Sequence, residues 1–121
     1  MDKSDKIIVG ISIGDLNGIG IEVILKTFED KRMLEFCTPV IFGATKVISY
    51  HKKVLENETQ VHGITDISQA NSAKINVLNI WKEEVDIEIG TPTATSGKYA
   101  LKSLESAVNH LIENKIDVLI T

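Results

Sequence analysis

Runs of apolar residues alternate with amphipathic stretches along the whole chain, and the spacing within each predicts an ordered series of elements. Residues 7–13 are almost wholly apolar and rich in β-branched side chains, the pattern of a central strand covered on both faces. Next, Ile21, Ile24, Leu25 and Phe28 recur at helical spacing, while Glu22, Lys26, Glu29 and Asp30 take the other side. A first helix is therefore expected from about Gly20 to the early thirties. A short apolar run at 39–42, closed by Gly43, predicts the second strand. Thr45 then stands where the N-cap of a second helix belongs, with Val47, Ile48, His51, Val54 and Leu55 on one side. Further strands are expected around 61–64 and 75–80, with a turn of helix at 66–70 between them. Residues 85–89 alternate apolar and acidic side chains, which predicts a half-exposed strand near an edge with a solvated acidic face. After a small-residue loop at 91–97, Ala100, Leu101, Leu104, Ala107, Val108, Leu111 and Ile112 mark the longest amphipathic helix, and 117–121 reads as a last buried strand.

Strands alternating with helices imply an α/β fold of three layers, a mostly parallel sheet with helices on both faces. In such sheets ligands bind beyond the carboxyl ends of the strands. That rule draws attention to the turn between the first strand and the first helix, where Gly14, Gly18 and Gly20 are interleaved with Asp15 and followed by Glu22. Glycines at this spacing suit either a ligand-binding turn, with a helix N-terminus aimed at a phosphate or carboxylate, or a tight connection without a ligand. Asp15 can orient a ligand hydroxyl or bond the loop's own amides in an Asx turn, and Glu22 suits the positive end of the helix dipole. As a dinucleotide fingerprint the stretch is incomplete, because Val23 stands where a third glycine belongs. Gly97-Lys98 is followed by Tyr99, and Pro92 stands where the first glycine of the motif belongs, which excludes a phosphate-binding P-loop.

Composition narrows the function further. A chain of 121 residues with 43% hydrophobic and 25% charged residues is an ordinary globular domain, one at most. The net charge of −4 disfavours nucleic acid and anionic membrane surfaces as partners. Cys37 is the single cysteine, so it reads as a buried, inert thiol in a reducing compartment. With a polar start, Met-Asp-Lys-Ser-Asp-Lys, in place of a signal segment, this predicts a cytoplasmic protein. His51, His62 and His110 are scattered and read as surface or boundary residues without metal spacing. Ser12, Ser96 and Ser103 lack a local base or elbow motif. Thr93, Thr95 and Ser96 either line a polar pocket or, for Thr95 or Ser96, cap the long helix. No catalytic or metal-binding set is recognised, and the last strand stops at Thr121 where a functional loop is expected. The chain is accordingly expected to be an N-terminal piece of a longer protein. Its uncovered strand edges and apolar helix faces should then cost stability or promote association.

Three stretches together resemble the NAD-dependent 4-hydroxythreonine-4-phosphate dehydrogenases of pyridoxal phosphate biosynthesis. Gly14-Asp15-Leu16-Asn17-Gly18-Ile19-Gly20-Ile21-Glu22 resembles that family's Gly-Asp/Glu-Pro-Ala/Ser-Gly-Ile/Val-Gly-Pro-Glu, with Leu16 and Ile21 in place of its prolines. The loop is therefore expected to be less stiff. Gly90-Thr-Pro92-Thr-Ala94-Thr-Ser-Gly97-Lys-Tyr99-Ala100 resembles Gly-x-Pro-Ser-Ala-x-x-Gly-x-Tyr-Ala, and the ending 116–121 resembles the strand that precedes an Ala-Pro-Ile-Asn-Lys-like segment. The first turn is also similar to that of the isocitrate and isopropylmalate dehydrogenases. The resemblance implies the N-terminal α/β portion, residues 1–121, of a larger two-domain homodimeric dehydrogenase. It implies oxidation of a phosphorylated 3-hydroxy acid, 4-phosphohydroxythreonine, with NAD, followed by loss of CO2. A divalent cation (Zn, Mg or Co) would be held by histidines beyond Thr121, so no catalytic or metal residue is carried onto this chain. Gly14, Asp15, Gly18 and Gly20 are the expected cofactor-binding residues. The alternatives are a related dehydrogenase of another phosphorylated hydroxy acid and a small anion-binding module.

Overall fold

A computed structural model describes residues 6–121, so residues 1–5 of the polar start lie outside the described residues. The chain runs through β1 (Ile7–Ser12), α1 (Gly20–Thr27), α2 (Met33–Phe36), β2 (Cys37–Gly43), α3 (Thr45–Leu55), β3 (Val61–Ile64), a 3-10 turn (Ile67–Gln69), β4 (Ile75–Asn79), α4 (Ala94–Ile112) and β5 (Val118–Ile120). The five strands form one sheet in the order β3-β4-β2-β1-β5. Each pair is parallel, for example Gly10 beside Val40 and Ile11 beside Ile120. Alternate side chains of the strands therefore feed two cores. Ile11, Ile41, Ile75 and Val77 pack with Ile21 and Leu25 of α1 and with Val47 and Ile48 of α3. On the opposite face Val40, Phe42, Ile64 and Leu78 pack with Ala107 of α4 and with Ile116. This is the expected three-layer fold, and the sheet is wholly parallel among the described strands.

Several elements depart from the sequence pattern. The first helix ends at Thr27, and the Asp30 carboxylate then organises a turn by accepting from the Arg32 backbone amide and guanidinium. Thr45 is the first residue of α3, whose N-cap is Ala44. The capping is done from a distance: Asn79 Oδ1 accepts from the Thr45 amide at 2.7 Å, and its Nδ2 donates to Thr45 Oγ1 at 2.9 Å. Residues 85–89 pair with no strand among those described. The most informative departure is α4, which starts at Ala94 and buries Ser96, Tyr99, Ser103 and Ala107, while Leu101 and Ile112 stay 55% and 72% exposed. Small side chains let the helix lie close to the sheet, and its leucine-rich stripe faces away.

Ser103 shows what that close approach does. Fully buried, its hydroxyl donates to the Phe42 carbonyl at 2.6 Å and accepts from the Ile13 amide at 3.0 Å. One side chain of α4 thus pins the carboxyl ends of β1 and β2, from which the glycine turn and the connection to α3 leave.

Candidate functional site

The helix after β2 packs on one face of the sheet and the helix after β4 on the other. Since β2 and β4 are neighbours, the crevice between their carboxyl ends is a topological switch point, where ligands bind in open parallel sheets. A cleft of about 890 Å³ lies there, lined among others by Thr45, Lys46, Thr65, Asn79, Trp81 and Glu84. Gly14, Asp15, Gly18 and Gly20 do not line it. They sit beyond β1, one strand further along the same edge.

The glycine turn is tightly specified. Gly14 has φ +68 with open space where a Cβ would point, and a Cβ on Gly20 would come within 2.8 Å of the Ile13 carbonyl. Asp15 makes an Asx turn: its Oδ1 accepts from the Asn17 amide at 2.8 Å, and its carbonyl accepts from the Gly18 amide at 3.0 Å. Of the two roles weighed for Asp15, the internal one is therefore observed. The helix that follows has no side-chain cap, since Ile19 occupies the N-cap and is exposed. First-turn amides of α1 are thus left for water or an anion. Glu22 pairs with Lys26 at 3.1 Å along the helix.

Three residues, Leu16, His51 and Asn17, hold this turn in place, a role that sequence reasoning gave to none of them. Leu16, fully buried, presents its carbonyl to His51 Nε2 at 2.7 Å. A carbonyl only accepts, so Nε2 carries the proton and the neutral ring is fixed in that tautomer. His51 is itself buried, not a surface residue, and burial pushes its pKa below the usual value against the opposing effects of the Leu16 bond and the Glu22 charge. Asn17, 2% exposed, reaches the other way. Its Oδ1 accepts from the Glu88 amide, its Nδ2 donates to the Thr91 carbonyl and its own carbonyl accepts from the Gly90 amide, each at 2.7 Å. The turn without its prolines is thus braced by a buried leucine, a histidine and an asparagine. The only sequence signal was the replacement of small or cyclic residues by Leu16 and Asn17.

Residues 80–93 form a strap from β4 to α4. Trp81 packs against Tyr99 with ring centres 4.6 Å apart, and the Tyr99 hydroxyl donates to Glu83 at 2.9 Å. Glu83 is held below the usual carboxylate range by its own backbone amide and then by that hydroxyl, whereas the bond to Glu83 raises the Tyr99 pKa. Lys102 and Lys46 reach Glu83 and Glu84 from exposed positions, contacts that add little stability. Thr93, not Thr95 or Ser96, is the N-cap of α4. It accepts from the Ser96 amide while the Ser96 hydroxyl accepts from the Thr93 amide. Thr95 has no cap role, and Ser96 is buried inside the box.

His62 and His110 stand apart from the turn, the latter beside Phe42 with Nδ1 at 2.7 Å from the Ser106 carbonyl. Among the described residues no three His, Cys, Asp or Glu converge as a metal site. Cys37 is half-buried, and burial raises its thiol pKa against the charge of Lys6. No helix among the described residues is long and apolar enough to cross a membrane.

A parallel sheet with helices on both faces, a glycine turn after β1 and a cleft along its carboxyl edge define an α/β protein of the open parallel-sheet class. The chain belongs to the family of the pyridoxal phosphate biosynthetic protein PdxA, which matches residues 35–121. It is 43% identical over 119 residues to the 4-hydroxythreonine-4-phosphate dehydrogenase of Bacteroides thetaiotaomicron, covering 98% of this chain and 33% of that protein. A protein of Fusobacterium nucleatum, provisionally named as a D-threonate 4-phosphate dehydrogenase, is 30% identical over 116 residues, or 93% of this chain and 35% of the relative. Among solved structures, a 4-hydroxythreonine-4-phosphate dehydrogenase from Burkholderia phymatum superposes with a TM-score of 0.85 at 25% identity, over 94% of this chain and 35% of that one. The chain therefore spans about a third of the length of the relatives it matches.

Proposed function

We propose that the chain is the N-terminal α/β portion of an NAD-dependent dehydrogenase that oxidises 4-phosphohydroxythreonine in pyridoxal phosphate biosynthesis. The observation that carries this reading is the uncapped N-terminus of α1 beyond β1, behind a turn whose glycines keep Cβ atoms out of the way, in a chain of this family. Gly14, Asp15, Gly18 and Gly20 form the rim that faces the cofactor. Backbone amides of the turn and first helical turn supply donors to an anionic group, while the Asp15 carboxylate keeps the turn closed. Gly14, Asp15, Gly18 and Gly20 would border the bound NAD, whose chemistry would be to accept hydride from the hydroxyl-bearing carbon. Among the described residues no set of side chains would hold a divalent metal. Its ligands, the second domain and the homodimer contacts belong to the remainder of a full-length protein, which we place in the cytoplasm.

The test is turnover. Full-length protein should reduce NAD with 4-phosphohydroxythreonine, and residues 1–121 alone should not; robust activity from the short chain would sink the reading. The Fusobacterium relative favours a second reading, in which D-threonate 4-phosphate is the substrate. Comparing kcat/KM for the two phosphorylated acids separates them.

A further inference from the structure

The two stretches that meet at the rim, the glycine turn and the strap, are more than 70 positions apart, yet one buried side chain spans them. Asn17 is 2% exposed and uses both ends of its amide on backbone groups of the strap, with the Glu88 amide at 2.7 Å and the Thr91 carbonyl at 2.7 Å. Its own carbonyl adds the Gly90 amide at 2.7 Å. The turn does not need that side chain for its own shape, because the Asp15 bonds that close it go to the backbone amides of Asn17 and Gly18. Residues 85–89 have no strand partner among the described residues. Val85 and Ile87 pack against the core, and the hydrogen bonds that residues 88–91 make to the rest of the fold go to Asn17.

From this we infer that Asn17 is a positioning residue: it latches the strap to the glycine turn, so that both present one preformed rim to the cofactor. The inference rests on the dehydrogenase reading above. Loss of the latch leaves the turn closed but lets the strap shift, so cofactor binding must first restore the register. The cost appears in binding rather than in the hydride step.

Asn17→Ala in the full-length protein should speed amide hydrogen exchange across residues 88–91 while exchange at Asn17 and Gly18 stays near wild type. It should raise KM for NAD about tenfold with kcat within about twofold. Glu88→Pro removes the same hydrogen bond from the strap side without touching the turn. It should reproduce part of the rise and add little to Asn17→Ala, since two changes to one contact are not additive. Unchanged exchange at 88–91, an effect on kcat alone, or full additivity of the two variants would overturn the inference. An inactive wild-type protein would instead overturn the dehydrogenase reading, and the exchange result would still decide whether the latch exists.

Discussion

His51 shows how much a single buried group can set. It is a residue of α3, donates to the Leu16 carbonyl of the turn, and has its pKa lowered chiefly by burial. In an unfolded chain the ring takes up a proton near pH 6.5, whereas in the folded protein it resists until lower pH. Between those two values the unfolded state binds more protons, so the contribution of neutral His51 is complete above about pH 6.5 and is lost as the pH falls below it. Thermal melts of wild type and His51→Gln across this range should diverge: the wild-type melting temperature drops more steeply below pH 6.5, and parallel curves would refute the assignment. The sequence put His51 on the same helix side as Val47 and Ile48 yet read it as a surface or boundary residue, and it held no sign of the partner, because the Leu16 carbonyl is a backbone group 35 positions away.

At the scale of elements, α4 carries the structure's main surprise and a direct test of it. Its start is set by the reciprocal bonds between Thr93 and Ser96, a capping box whose first hydroxyl contributes about 1 kcal/mol in comparable helices. Thr93→Ala should therefore lower the melting temperature by roughly 4 °C, whereas Thr95→Ala, outside the box, should change it little. Denaturation of the two variants side by side checks this. The box lies beside the strap, so the same residue pair also fixes where α4 leaves the carboxyl edge. Periodicity pointed to the stripe of Ala100, Leu101, Leu104, Ala107, Val108, Leu111 and Ile112, of which only Ala107 is fully buried, yet Ser96, Tyr99 and Ser103 repeat with Ala107 at nearly the same interval and lie against the sheet. Two stripes on one helix satisfy the same spacing rule, and the local sequence cannot choose between them. Burial of Ser103 is allowed because its hydroxyl finds both a donor and an acceptor at the ends of β1 and β2.

On the scale of the whole molecule, the consequence is a broad apolar surface. Leu101, Leu104, Val108, Leu111 and Ile112 of α4 are exposed, as are Val118 and Ile120 of β5. β5 pairs only with β1 and so keeps one open edge among the described strands. Exposed apolar side chains beside an unpaired strand edge favour association. Residues 1–121 on their own should therefore self-associate at micromolar concentration, and Leu101→Glu with Ile112→Glu should shift them toward monomer. Sedimentation velocity distinguishes the outcomes, and a wild-type chain that stays monodisperse and monomeric would contradict the expectation.

The sequence by itself determined where the five strands and the helices α1, α3 and α4 lie, the parallel three-layer class and the position of the glycine turn, but not α2 as a separate helix. Those follow from local quantities: β-branched runs such as residues 7–13, the helical spacing of Ile21, Ile24 and Leu25, and glycines where φ is positive or backbones approach. Tertiary structure alone decided that residues 85–89 are a strap and not a strand, that Asn79 caps α3, that α4 turns its small residues inward, and that Asn17 and His51 brace the turn. Each of these depends on hydrogen bonds or packing between groups far apart in the chain. A buried amide or imidazole is satisfied by whichever backbone group the fold brings to it, and that partner leaves no trace in the residues on either side.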